Sequence, residues 1–493
     1  MPTFKYKPLA VLTLGAMLSA CSGGGGGTSS NSGGGNSGSS AIASTYQGLW
    51  IAEGYGKVLD IGSNSLRLLD YTTDFCVAFL SASGVDTDDI EDFYRLAGDS
   101  LEEYGGAGTE SFSAPGVVFA PTEALPPSCE DGVTPAQGDS GYERDAARDL
   151  QLFAQILEEY AIYPELRGIP AADLYAAQAS MISANSSDEA LLEALYQIAE
   201  PLADIHLTVE SDLGVIKVLN KPSLPYVLAN EWLDDAGLSL PVSNAQAAEM
   251  NAYIEAQIAR DREVTLSYAP GPGAIHQAAN DQITWFENQG LGYLAIDAMI
   301  GFGDPEDNGD DLAALEAALD DALEDLQDVQ ALIVDVRRNG GGKDFLSLAI
   351  ASRFAANETL AYRKQARLGS GRTEAVDVYL SPRGSVQYLG PVILLTSATT
   401  ASAAEVFTLA MRELPQVVVL GEATQGGLSD QLDKRLTNGW SASLANEFYV
   451  TPVGEEFEGE GIPVDVEVPQ FLPEARAEEV DTGIEAALEL LDS

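Results

Sequence analysis

With about 150 residues per domain, the 493-residue chain has room for roughly two to four domains, and its 45% hydrophobic and 8% aromatic content excludes a wholly disordered chain. Lys+Arg total 25 against 76 Asp+Glu, and the formal net charge of -51 repels phosphate backbones, which excludes a nucleic-acid-binding role. Three Cys and 2 His are too few and too scattered for a zinc centre, and no cofactor is expected.

In chain order, Lys5 and Lys7 precede a short apolar run, Leu9–Leu18, which ends in Leu18-Ser19-Ala20-Cys21. That run is too short to span a bilayer. It looks like a bacterial lipoprotein signal (residues 1–20), with Cys21 as the lipidated first residue of the mature chain. A Gly/Ser-rich tether follows over 21–45. The expected location is the bacterial cell envelope, facing the periplasm and anchored to the membrane by the N-terminal lipid. Export leaves Cys76 and Cys129 as the remaining thiols in an oxidising compartment, so a disulfide is expected, with two free thiols as the alternative.

Residues 46–135 read as a small β-rich module. Lys57–Ile61 and Leu66–Tyr71 flank the hairpin signal Gly62-Ser-Asn-Ser65, and Pro121, Pro126 and Pro127 are expected to break the chain. Residues 136–210 form a helical subdomain carrying His206. There Leu150, Phe153, Ile156, Leu157 and Tyr160 recur at helical spacing, and Ser187 can cap Asp188–Glu200. A mixed segment, 211–285, contains a helix over 245–258.

From 286 to 475 strands alternate with helices: Gly292–Ile296, the amphipathic Asp311–Gln327, Ala331–Asp335, Pro391–Leu395, Ala403–Leu414 and Gln416–Leu420. That alternation predicts a parallel α/β core. Asn438-Gly439 marks a hairpin, and a C-terminal helix falls in 476–493. Asp304–Gly309 begins like a calcium loop, but Leu315 stands where the bidentate Glu belongs, so it reads as an acidic loop. Gly340-Gly-Gly-Lys343 lacks the phosphate-loop spacing.

Three stretches carry chemistry. In Thr399-Thr-Ala-Ser402-Ala-Ala-Glu405 a buried strand turns into a helix with Ser402 at its N-terminus. Free amides and the helix dipole could stabilise an oxyanion there, or Ser402 could simply cap the helix. Asp335-Val-Arg-Arg-Asn-Gly-Gly-Gly342 can bring backbone amides close to a ligand. Leu202-Ala-Asp-Ile-His206-Leu-Thr208 supplies an imidazole, the usual base for a serine nucleophile. Alternation would put Asp204 and Thr208 on the face of His206. His276 lacks such context and reads as a loop residue.

Together these segments resemble the tail-specific, or C-terminal processing, serine peptidases, a family that includes the tricorn core protease and has a core related to the crotonase and Clp protease folds. The elements are Asp335, Arg337, Asn339, Gly341 and Gly342; Thr400–Glu405; Tyr449–Gly454; and Glu458–Asp465. The resemblance implies Ser402 as nucleophile, with oxyanion donors at the backbone N–H of Gly341, or a neighbouring glycine, and of Ala403. In Lys-dependent members a lysine serves as base. Here Gly421-Glu-Ala-Thr-Gln-Gly-Gly427 puts Gly427 in that slot, so a Ser/Lys dyad is excluded at that position, and Lys343 and Lys434, the nearest lysines, are expected to be dispensable for activity. His206 matches the tricorn-like, His-using branch. That branch has a Ser beside the His, where Ile205 stands here, and a Glu matched by Glu458. Glu458 or Asp204 is left to orient the imidazole. No PDZ domain is evident, and residues 211–285 stand in its place. The implied function is a serine endopeptidase acting on peptides or unfolded proteins. The rivals are a non-catalytic binding protein on the same fold and a structural envelope lipoprotein.

Overall fold

A computed structural model describes residues 41–106, 109–240 and 242–491. The expected signal segment, Cys21 and most of the expected tether lie outside the described residues. The first folded unit is a seven-stranded antiparallel sheet, ordered Cys76–Ser83, Ser65–Tyr71, Lys57–Ile61, Gly48–Ala52, Val118–Thr122, Ser100–Glu103 and Tyr94–Ala97. The hairpin expected at residues 62–65 is present, with Ile61 opposite Leu66. Pro121 lies within a strand opposite Trp50, beyond the last pair on its other side, Leu101 with Phe119. A missing N–H is tolerated where one neighbour has ended. Cys76 and Cys129 are joined by a disulfide across a sequence separation of 53.

Helix α1 (Ala146–Tyr160) starts at Asp145, whose carboxylate accepts the N–H groups of Ala147 and Arg148. Its apolar stripe, Leu150, Phe153, Ile156 and Leu157, is fully buried. Ser187 caps helix Asp188–Ala199 through the Ala190 N–H. These helices pack under a four-stranded sheet ordered Gln431–Arg435, Ser441–Ala445, Thr208–Ser211 and Gly214–Lys217. The turn at Asn438-Gly439 joins its first two strands. This sheet carries a stretch near residue 206 to the part of the fold built by residues beyond 400. The segment in the PDZ position is a helical hairpin, α2 (Leu224–Ala236) and α3 (Asn244–Leu266).

The main sheet has seven strands, ordered His276–Ala278, Ile283–Asn288, Leu291–Ile296, Ala331–Asp335, Val392–Thr396, Val417–Gly421 and Val466–Glu467. Pairing is antiparallel up to Leu291–Ile296 and parallel thereafter. Both faces are covered, so the central strands read as unbroken apolar runs. Helices Asn308–Asp325, Asp344–Ala351 and α4 (Ala403–Arg412) bury one face, and Thr482–Leu491 covers the other. The protein is thus α/β, with a mostly parallel core, a helical subdomain and an N-terminal β module.

Candidate active site

Ser402 stands where strand Val392–Thr396 has passed through a turn into α4. It is the N-cap of that helix, at φ 54 and ψ -129. A non-glycine residue at positive φ costs on the order of 1–3 kcal/mol and persists only where its surroundings impose it. The surroundings here are explicit. Thr400 Oγ1 donates to Val336 O at 2.9 Å, Ala401 N–H to Asn339 O at 3.2 Å and Ser402 N–H to Gly427 O at 3.1 Å. Glu405, fully buried on the first turn of α4, accepts from Thr424 Oγ1 (2.6 Å), Gly426 N (2.7 Å), Gly427 N (2.8 Å) and Ser402 N (3.1 Å). One carboxylate thus ties the Ser402 turn to the 424–427 loop.

The Ser402 hydroxyl and His206 Nε2 are 3.1 Å apart, both buried. These two residues, 196 apart in sequence, meet because strand Thr208–Ser211 pairs with Ser441–Ala445. Ser443 Oγ donates to His206 O at 2.8 Å. His206 does not lie on an alternating strand, as expected, but on a turn before it. Ala203 takes φ 51, and Leu207 N–H closes onto Asp204 O. The Asp204 carboxylate is consequently aimed at backbone, accepting His206 N–H (2.8 Å) and Ala445 N–H (3.0 Å). Burial raises its pKa to about 6.

Glu458 is close by but also committed elsewhere. It accepts from Tyr163 Oη at 2.9 Å and from the amides of Leu428 and Ser429, each at 2.8 Å. Burial, reinforced by the Asp204 charge, pushes its carboxyl up to about 8. Neither acid bonds the imidazole. His206 Nδ1 is buried with no hydrogen-bond partner among the described residues. Burial, helped by the Lys217 charge, lowers the His206 pKa to about 3.

Gly341 must be glycine. At φ 107, a Cβ there would lie 2.6 Å from Ser402 Cβ and 2.8 Å from Ala401 O. Its N–H, expected to face an oxyanion, instead donates to Asn339 Oδ1 at 2.9 Å. Ala403 N–H, at the open end of α4, has no acceptor among the described residues. The Asp335–Arg337 element is structural: Arg337 forms paired hydrogen bonds with both Asp335 and Asp481 and is fully buried.

At Gly427 an added Cβ would fall 2.4 Å from Ile205 and 3.8 Å from His206 Cε1. Lys343 donates to Pro305 O, away from this cluster. Lys434 is fully buried, donating to Tyr55 O (2.6 Å) and Gly56 O (2.8 Å) under the ring of Tyr160, and it fastens the β module to the core. Sequence reasoning missed Tyr163, which nothing in its own short helix singles out. It gave Glu405 no role, although Glu three residues after an N-cap is a legible capping signal.

Residues 290–468 match the model of peptidase family S41. The chain is 28% identical over 148 residues to a chloroplastic C-terminal processing peptidase of Tetradesmus obliquus, covering 30% of this chain and 31% of that one. It is 28% identical over 100 residues to a tail-specific protease of Haemophilus influenzae, covering 20% and 14%. It thus spans under a third of the length of these curated relatives. A solved Parabacteroides merdae structure superposes with a TM-score of 0.55 at 23% identity, over 71% of this chain and 98% of that one, which establishes a shared fold. The stretch 290–468, holding the main parallel strands, the Ser402 turn and Glu458, is thus the part of the chain that matches peptidase family S41.

Proposed function

We propose that this protein is a serine endopeptidase cleaving peptide bonds in peptides or unfolded proteins, with Ser402 as nucleophile and His206 as base. The observation that carries this is the 3.1 Å approach of Ser402 Oγ to His206 Nε2 at the strained start of α4. The low imidazole pKa keeps the ring neutral, and in the tautomer with its proton on Nδ1 the Nε2 lone pair accepts the Ser402 proton. As Oγ adds to the scissile carbonyl, that proton moves to Nε2 and then to the leaving amine. Water enters by the reverse route to release the acyl group. The developing oxyanion is met by Ala403 N–H and the α4 dipole. A second donor from Gly341 requires its amide to leave Asn339.

The imidazolium formed in this step has no carboxylate bonded to it, so the pair works as a dyad. Asp204 and Glu458 act by holding the His206 turn and the 428–429 backbone. A mere helix cap would not need a buried imidazole at hydrogen-bond distance, which favours the enzyme over a non-catalytic binding protein. We place the enzyme on the periplasmic side of a bacterial envelope, held through Cys21. Ser402→Ala and His206→Ala should each cost on the order of 10⁴-fold in turnover on an unfolded protein substrate, and the double variant little more. Full cleavage by folded Ser402→Ala refutes the assignment.

A further inference from the structure

Between strand Gly214–Lys217 and helix α2 the chain crosses the back of the nucleophile turn, and two of its side chains act there. Asn220 is a hub of three hydrogen bonds. Its Nδ2 donates to Gln425 O at 2.7 Å and to Gly459 O at 2.9 Å, and its Oδ1 accepts Arg167 Nη2 at 2.7 Å. Lys221 completes the crossing. Its N–H donates to Gln425 Oε1 at 2.7 Å, its carbonyl accepts Gln425 Nε2 at 3.2 Å, and its Nζ donates to Thr424 O at 2.7 Å and to Glu460 O. Leu224 N–H then donates to Thr399 Oγ1 at 2.8 Å.

Every acceptor on the core side belongs to one of three loops: 399–402, which carries Ser402; 424–427, whose Gly427 carbonyl accepts the Ser402 N–H directly and whose Gly426 and Gly427 amides hold Glu405, a second acceptor of that N–H; and 458–461, which carries Glu458. The fit is tight. A Cβ on Gly426 would lie 2.9 Å from Asn220 Nδ2, and one on Gly461 would lie 2.6 Å from Lys221 Nζ. Neither residue touches Ser402 or His206. Their contacts hold the loops that impose φ 54 on Ser402.

We infer that Asn220 and Lys221 are positioning residues for the reaction, a strap through which the α2–α3 hairpin holds the Ser402 turn in its reactive geometry. The inference rests on the serine-peptidase reading. Loosening the strap removes no bond made by the Ser402 or His206 side chain but relaxes the turn that holds Ser402, so the loss falls on the chemical step.

The experiment uses the whole chain, with Asn220→Ala, Asn220→Asp and Lys221→Met. Asn220→Asp keeps the acceptor for Arg167 and removes both donors to backbone carbonyls. Each variant is assayed well below its melting temperature for kcat and KM and for the rate of Ser402 labelling by a fluorophosphonate. Expected results are a tenfold or greater loss in kcat for both Asn220 variants and a smaller loss for Lys221→Met. KM should stay within about twofold, and labelling should slow in parallel with kcat. A folded Asn220→Ala with kcat and labelling within twofold of the parent overturns the inference, as does a loss confined to KM. Lys221→Met changes only one half-exposed side chain, so it decides the matter in the same way if the Asn220 variants do not fold. Absence of labelling in the parent protein would instead refute the nucleophile assignment, so the two failures are distinguishable.

Discussion

The sharpest consequence of the site concerns pH. The base of a serine peptidase must be neutral to accept a proton, so kcat/KM falls as acid protonates it. An ordinary histidine titrates at about 6.5, so a solvent-exposed dyad would lose about half its activity at pH 6.5 and about nine-tenths at pH 5.5. His206 is buried, has no carboxylate on Nδ1 and feels the Lys217 charge, and its pKa drops to about 3. The sign is fixed: a lowered histidine pKa moves the acid limb to lower pH. At pH 5 the base should then be almost wholly neutral, so kcat/KM on a peptide without ionisable groups should vary by less than about twofold between pH 5 and 7.5. Fluorophosphonate labelling of Ser402 in the same buffers reads the dyad directly. Circular dichroism at each pH separates titration from unfolding. A labelling profile that rises through pH 6–7 in fully folded protein would show that a charged partner reaches Nδ1, and would refute the argument from an isolated buried imidazole.

Four further outcomes follow from the packing. Glu458→Gln should flatten a stability loss between pH 5 and 8, read as melting temperature against pH. A buried carboxyl held protonated up to about 8 stabilises the fold fully below its unfolded value of about 4.5, and that contribution disappears as pH rises through 8. Gly427→Ala should destabilise by about 1–3 kcal/mol in urea titration, because its Cβ has no room beside Ile205. Lys434→Met should cost about 3 kcal/mol, since Asp70 and the carbonyls of Tyr55 and Gly56 lose a buried donor, with the residual folded fraction still active. Reduction of Cys76–Cys129, or Cys76→Ser with Cys129→Ser, should cost up to about 4 kcal/mol, measured by denaturant unfolding with and without reductant.

The parallel core was legible because its signals are local. Ala331–Asp335 and Val392–Thr396 are apolar runs bounded by turn residues, and Ser187 and the stripe in α1 announce their helices. Ser402 was legible for the same reason, a small-residue turn opening an apolar helix. What the chain order conceals is how carboxylates are spent. Asp204 alternates with His206 on paper, but the tight turn at Ala203 rotates its carboxylate onto amides of its own segment and of Ala445. Glu458 aligns with a residue that could orient the base, yet two amides and the Tyr163 hydroxyl take its oxygens first. Likewise Gly341 offers an amide that only the fold reveals as already donated to Asn339, and Lys434 reads only as a dispensable lysine until the β module closes over it.

Ile205, His206 and Gly427 are best understood as one structural unit. The direction a side chain at 427 would take is filled by Ile205, with the His206 ring edge just beyond. A lysine there and the present 205–206 turn therefore compete for the same volume beside Ser402. The absence of a side chain at 427 and the presence of an imidazole at 206 are two sides of one packing solution. Glycine also lets the 427 backbone come close enough for its carbonyl to accept the Ser402 N–H and its amide to reach Glu405. In the proposed dyad, position 427 supplies backbone bonds that hold Ser402, and the imidazole comes from a segment some two hundred residues earlier.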